Sequence, residues 1–342
     1  VYKRQDFITE WGTSGLGNGE FNQPQGVATD RSDDVYVVDS ANHRIQKFNS
    51  SGGFITTWGG LGTGDGQFDF PEGIATNASD EVYVADTAND RVQKFDSSGG
   101  FLTKWGAFGS GNGQFNEPSG VDTDSGGNVY VADSANNRIQ VFNATGSFIA
   151  TRGSQLNQPD DVATDSTNNL FVADTANNRI QKLDSAGGLV TAWGAFGSGD
   201  GEFDSPDGVA TDEKGNVYVA DAGNNRIQVF DSGGSFIATW GTSGTGPGQF
   251  NVPLGVAVNS RGNVLVADTF NNRIQVFEGG FSTPPPPPPP PAPAPVSPPA
   301  APTQASSVCN PAPTRSTSKK GTIRLTPQAL AIQQRIDAAA LR

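Results

Sequence analysis

Six residues stand between a proline and the start of a short apolar run: Gln25, Glu72, Ser119, Asp160, Asp207 and Leu254. Three of the six are carboxylates, and Asp161 adds a fourth by replacing the glycine that follows in the other five places. Carboxylates crowded onto one ring either raise one another's pKa values or hold a cation. A hard, oxygen-seeking ion such as Ca²⁺ suits Glu72, Asp160 and Asp207, with waters completing its shell. A solvated, water-filled mouth accounts for the same residues. Arg152 stands where Trp11, Trp58, Trp105, Trp193 and Trp240 recur elsewhere. It would serve as an anion anchor for a peptide or a sugar, or as half of an ordinary salt bridge filling the space of the missing indole. His43 is the only histidine, so a Ser-His-Asp triad would have to use it, and no Gly-x-Ser-x-Gly accompanies it.

A repeat must position these residues. Asp-x-x-Asn-x-Arg follows a short apolar run at Asp39–Arg44, Asp86–Arg91, Asp133–Arg138, Asp174–Arg179, Asp221–Arg226 and Asp268–Arg273, spaced 47, 47, 41, 47 and 47 residues apart. Each unit holds four runs of β-branched and aromatic residues bounded by Gly, Asn, Asp or Ser, which predicts four short antiparallel strands. Units of this length with four strands are the mark of a propeller, so the predicted fold is all-β, a six-bladed β-propeller. The last unit lacks a fourth strand, because Phe281-Ser-Thr runs into eight prolines that cannot donate to a ladder. Phe7-Ile-Thr-Glu-Trp-Gly12 matches the fourth strand of other units and is predicted to complete blade six, closing the ring and removing its exposed edge.

Pro206-Asp-Gly-Val-Ala-Thr-Asp212, Val217-Tyr-Val-Ala-Asp221 and Asn225-Arg-Ile-Gln-Val-Phe230 resemble the unit of the NHL-repeat family, and all six units follow it over residues 5 to 281. The resemblance implies the propeller; for function it implies binding platforms, sensor domains and a few enzymes alike. A three-His zinc site, as in the amidating-lyase branch of that family, cannot be built from one histidine. By analogy of fold, calcium-dependent lactonases on six-bladed propellers place a Glu near the axis, and Glu72 occupies a similar place in its strand.

The motif itself reads as structure: its aspartate ends the second strand, its Asn tolerates a left-handed turn, and its Arg returns to the carboxylate. Function is expected where units differ. The fourth junction runs from Arg152 to Pro159 in seven residues where Trp105 to Pro118 takes 13. Its missing Gly-rich excursion predicts a notch between blades three and four, holding Arg152, Asp160 and Asp161. His43 and Phe270, each in a turn between second and third strands, are further candidate contacts.

The chain carries 35 acidic and 22 basic residues; the last 59 hold one and six of them, leaving 34 against 16 before Pro284. So acidic a propeller repels phosphate backbones, and no nucleic-acid partner is expected. The only cysteine, Cys309, lies in the tail, and no apolar run is long enough to span a membrane. There is no Met, at position 1 or elsewhere, so the chain reads as a fragment or processed product. The organisation predicted is a propeller over 1–283, a Pro-rich spacer over 284–322, and a short helix over 323–342 that docks on a partner, self-associates or opens a truncated domain. A Pro-rich stalk suggests the cell envelope or the exterior. The expected function is a monomeric, non-catalytic scaffold recognising a protein, peptide or glycan on the loop-rich face. The alternative is a Ca²⁺-dependent hydrolase, lactonase or lyase with a carboxylate-lined axial site.

Overall fold

The computed structural model describes residues 5–279; the predicted spacer and tail helix lie outside them. Within this range the chain forms six four-stranded antiparallel sheets arranged as the blades of one propeller. Blade one is typical: an innermost strand at Pro24–Thr29, a second at Val35–Asp39, a third at Arg44–Phe48 and an outer strand at Phe54–Gly59. Second strands are buried at every position in all six blades, because they lie between neighbouring sheets on both faces. The ring closes as predicted: Phe7–Trp11 pairs antiparallel with Arg273–Phe277, matching Trp11 to Ile274. No helix among the described residues is long and apolar enough to cross a membrane.

Aromatic side chains wedge the blades together. Phe21, Phe68, Phe115, Phe203 and Phe250 are fully buried, and Leu156 takes their place in blade four. The tryptophans lie between blades as the sequence suggests; Trp58 meets Tyr36 of its own blade at 6.1 Å and Phe95 of the next at 5.9 Å.

The repeated motif is a buried polar cluster. The Asp39 carboxylate is fully buried and accepts the Asn22 N–H at 2.7 Å, Asn42 Nδ2 at 2.9 Å, Arg44 Nε at 2.7 Å and Gln46 Nε2 at 3.1 Å. A buried charge is tolerated only when it is paired and its lone pairs are filled, and this one meets both conditions. The rest of the Arg44 fork donates to the Leu16, Gly17 and Glu20 carbonyls, so the same guanidinium that neutralises Asp39 also fastens the Gly-rich loop arriving from the preceding blade.

One detail differs from the sequence reading. The motif's own Asn lies in a 3₁₀ turn, Ser40–Asn42 in blade one, and the left-handed residue is the one after it: His43, Asp90, Asn137, Asn178, Asn225 and Asn272. These residues form a latch between blades, since each accepts the N–H of the residue before the next blade's first proline. Asn137 Oδ1 takes the Gln158 N–H at 2.7 Å, and Asn272 Oδ1 takes the Gln23 N–H at 2.9 Å across the closure.

Candidate functional site

Second-to-third turns and Gly-rich loops share one face of the propeller, here the loop face. In five blades a long loop covers the Asp–Arg–Gln cluster beneath it. In blade three, Gln140 Oε1 accepts the Gly113 N–H at 2.9 Å, and Arg138 donates from Nη1 to the Ser110 carbonyl at 2.8 Å and from Nη2 to that of Gly111 at 2.8 Å. Blade five repeats this with Gly201, Ser198 and Gly199.

Blade four does not. Its junction is six residues short, and Arg179 keeps only the Asp174 carboxylate at 2.6 Å and one carbonyl, that of Gln155, at 2.9 Å. Gln181 is 1 % exposed, yet its Oε1 has no hydrogen-bond partner among the described residues. The Arg179 side chain is 28 % exposed, against 8–16 % for its five equivalents. The buried Trp indole N–H groups also lack partners, but they do so in all five blades that have them. An orphan in every blade belongs to the repeat; the Gln181 orphan belongs to blade four alone. The short junction still lies over the cluster, its Ser154 carbonyl accepting Gln181 Nε2 at 3.3 Å, so the Gln181 Oε1 orphan is buried beneath it.

The residues expected to line the notch are dispersed. Arg152 occupies the place of the missing indole, packed against Gly187 in the hairpin turn on the opposite face of blade four. It makes no ion pair or hydrogen bond among the described residues. Burial and the Asp124 carboxylate push the Tyr130 hydroxyl up to about 12, and the nearby Arg152 guanidinium pulls the other way. Asp161 turns into the central channel and accepts the Val209 N–H of blade five at 3.0 Å. Asp160 stays at the head of its strand, half-buried, while its carbonyl accepts Ser119 Oγ at 2.6 Å.

Three residues of the ring from Gln25 to Leu254 pack within the blades. Gln25 Nε2 donates to Ser40 Oγ in its own blade's turn, Ser119 bonds Ser134, and Leu254 packs with Ala222, Val252 and Phe270. Phe270 is therefore partly buried and has less surface to offer than an exposed loop aromatic. Among the described residues no three His, Cys, Asp or Glu side chains gather as a metal-binding group. His43 works as a latch: Nδ1 accepts the Phe70 N–H at 3.1 Å, the part that an Asn plays in four other blades, and its ring lies 4.7 Å from that of Phe70.

The innermost strands of all six blades enclose a channel of ≈ 280 Å³ whose only charged lining residues are Asp122 and Asp161. Asp122 was not a sequence candidate. Its signal was a break in another column, where Ala28, Ala75, Ala163, Ala210 and Ala257 stand in the other blades. Asp122 Oδ2 accepts the Thr164 N–H at 2.6 Å and its hydroxyl at 2.9 Å. Burial in the channel pushes Asp122 up to about 6 and Asp161 up to about 8, with the Asp122 charge adding to the second effect. Glycine is forced in the Asp161 column elsewhere, because a Cβ on Gly26 or Gly208 would run into a carbonyl of the neighbouring blade. The two acids bind blade three to four and blade four to five.

A third feature was not read from sequence. Leu61, Phe108 and Phe196 hold one equivalent position in three of the five Gly-rich loops and are 64, 71 and 73 % exposed; Leu16, two residues beyond Ser14 in a fourth, is 76 % exposed. The remaining two loops carry Ser14 and Ser243 there, each making the same bridge to a buried Phe that Phe108 makes to Phe115. The fold needs no large apolar side chain at that position. The loops bearing Phe108 and Phe196 lie on blades three and five, either side of the short junction.

The NHL repeat family model matches residues 21–48, 68–95, 115–142, 156–183, 203–230 and 250–277, one unit per blade. A 52-residue stretch is 42 % identical to Protein brain tumor of Drosophila melanogaster, covering 15 % of this chain and 5 % of that protein. Among solved structures, a streptogramin B lyase superposes with a TM-score of 0.55 at 15 % identity, covering 80 % of this chain and 97 % of that one. A gluconolactonase of Xanthomonas campestris gives 0.59 at 13 %, covering 81 % and 99 %. At such identities the two structures share the fold alone. With six matched units, each building one blade of a closed six-bladed ring, the chain belongs to the NHL-repeat family.

Proposed function

We propose that the propeller is a non-catalytic binding module that takes a protein partner on its loop face. The observation that supports this most is the set of solvent-facing apolar side chains at Leu16, Leu61, Phe108 and Phe196. Side chains of this size on rigidly fastened loops bury apolar area on docking at little entropic cost, and nothing in the fold requires them. The acidic balance of residues before Pro284 argues against a nucleic acid as the partner. The test uses the serine that the chain itself carries at two of the six junctions. The triple variant Leu61→Ser/Phe108→Ser/Phe196→Ser should melt like the parent, within about 0.5 kcal/mol for surface substitutions. It should also lose most of the protein that the parent captures from its native extract. Undiminished capture by a folded triple variant would move the partner off this face.

Asp122 and Asp161 support a second reading, a carboxylate-based hydrolase or lyase working in the channel that both acids line, with one as proton donor and the other as acceptor. Its Ca²⁺-dependent form asks Glu72, Asp160 and Asp207 to converge on an ion. A melting temperature unchanged by both EDTA and added Ca²⁺ would remove that form.

A further inference from the structure

We infer that the partner meets the loop face with basic side chains, on a segment whose lysines or arginines are interspersed with apolar residues. The inference rests on the loop-face binding reading and names the chemistry of what that face would take. Three carboxylates that point to it are not required as charges by the fold. In each Gly-rich loop a side-chain oxygen accepts the N–H of the glycine three residues before it. Gln67, Gln114 and Gln249 do this at 3.0 Å with Gly64, Gly111 and Gly246. Glu20 and Glu202 do the same with Gly17 at 2.8 Å and Gly199 at 2.9 Å. A neutral amide is sufficient for the turn, so the charges of Glu20 and Glu202 are surplus to it. Asp200 is the third. Its equivalent in the preceding acidic loop, Asp65, pairs with Lys104 at 2.7 Å, whereas Thr239 stands where that lysine would have to be for Asp200. Asn18 and Asn112 fill the same position in two other loops, so no charge is needed there either.

These acids lie against the exposed apolar side chains. A Cβ on Gly197, the residue after Phe196, would strike the Glu202 carboxylate, and one on Gly15, the residue before Leu16, would strike that of Glu20. Asp200 and Glu202 are exposed and Glu20 is half-buried. The arginines of this face are already committed, each held on the buried aspartate of its own motif at 2.6–2.7 Å. A second copy of the chain would bring the same acids to the same apolar ground, and like charges across an interface oppose association. A wholly apolar partner would strip water from the carboxylates and return nothing for it. A lysine or arginine suits both halves of the surface. Its methylene stem lies along Phe196 or Leu16 while its head reaches the adjoining carboxylate, and a cation over the Phe196 ring face adds its own attraction.

The probes are two acetylated and amidated amphipathic peptides, Leu-Lys-Lys-Leu-Leu-Lys-Leu-Leu-Lys-Lys-Leu-Leu-Lys-Leu and the same sequence with Glu for every Lys, titrated into the full chain by calorimetry. Saturable binding of the lysine peptide is expected, weakening as salt rises from about 0.05 to about 0.2 M, and none of the glutamate peptide. The variant Glu20→Gln/Asp200→Asn/Glu202→Gln takes residues that the chain itself carries at equivalent places, so it should melt like the parent. It should bind the lysine peptide about tenfold less tightly through the lost ion pairs. All but three of the 34 acidic residues before Pro284 remain in it, so a loss of that size would not come from net charge alone. Equal binding of the two peptides, undiminished binding by the neutralised variant, or no saturable binding of the lysine peptide by the parent overturns the inference. If the neutralised variant binds as the parent does while Leu61→Ser/Phe108→Ser/Phe196→Ser does not, the charge assignment alone is wrong; if the serine variant binds like the parent, the loop-face reading falls first.

Discussion

Asp133→Ala is expected to destabilise the propeller by about 3–5 kcal/mol, the range for breaking a buried ion pair from one side. The Asp133 carboxylate is fully buried and accepts the Asn116 N–H at 2.8 Å, Asn136 Nδ2 at 2.9 Å, Arg138 Nε at 2.7 Å and Gln140 Nε2 at 3.0 Å. Removing it strands a guanidinium and two amides and also releases the Gly-rich loop that Arg138 fastens. Urea unfolding should show a lower midpoint with an unchanged slope. A loss below about 1 kcal/mol would mean that the cluster contributes little net stability. The same change at Asp174 should cost less, because Arg179 there fastens a single carbonyl and its exposed fork can turn to water.

The second large effect is on pH dependence. Asp161 is pushed up to about 8 in the folded chain, against an ordinary 3.8 when unfolded. Below pH about 4 both states are protonated, and above about 8 both are ionised. Between these limits only the folded state holds the proton, so stability falls as pH rises through the window. At about 1.4 kcal/mol per pH unit the fall approaches about 5 kcal/mol, with Asp122 adding a smaller one that ends near pH 6. The pair titrates as a unit, so the sum is shared between them. Asp161→Asn keeps an oxygen for the Val209 N–H and removes the charge. It should match the parent near pH 4, exceed it clearly at pH 8, and flatten the profile of melting temperature against pH. Parallel profiles for the two proteins would show that Asp161 is ionised in the folded state throughout.

The architecture was almost wholly legible, because a unit written six times reports its own strand boundaries: Phe7–Trp11 could be placed in blade six by likeness to Phe54–Gly59, and the pairing of Trp11 with Ile274 bears it out. The short fourth junction was legible as a length. What could not be read was the direction of side chains at the channel, since neither the strand's pleat nor its tilt to the axis is written in the spacing. Glu72 and Asp207 stood out by type, whereas the charges that line the channel are Asp122 and Asp161. Gln181 was hidden for a different reason. Its residue type is invariant over the six blades, and it differs from its equivalents only in what the missing loop no longer brings to it. Repetition marks a residue as structural only while its partners repeat too.

The melting temperature of a variant in which residues 153–155 are replaced by the nine residues found at 106–114 tests the account most directly. Nine residues in place of 153–155 should restore a donor to Gln181 Oε1 and carbonyls to Arg179, at about 0.5–1.5 kcal/mol net for each hydrogen bond. The six added residues cost less than about 1 kcal/mol in loop entropy. The account therefore predicts a graft more stable than the parent by about 1–3 kcal/mol, seen as a rise of several degrees. A graft that melts at or below the parent would contradict it, and would show that the short junction serves the Asp174 cluster as well as the long loops serve theirs.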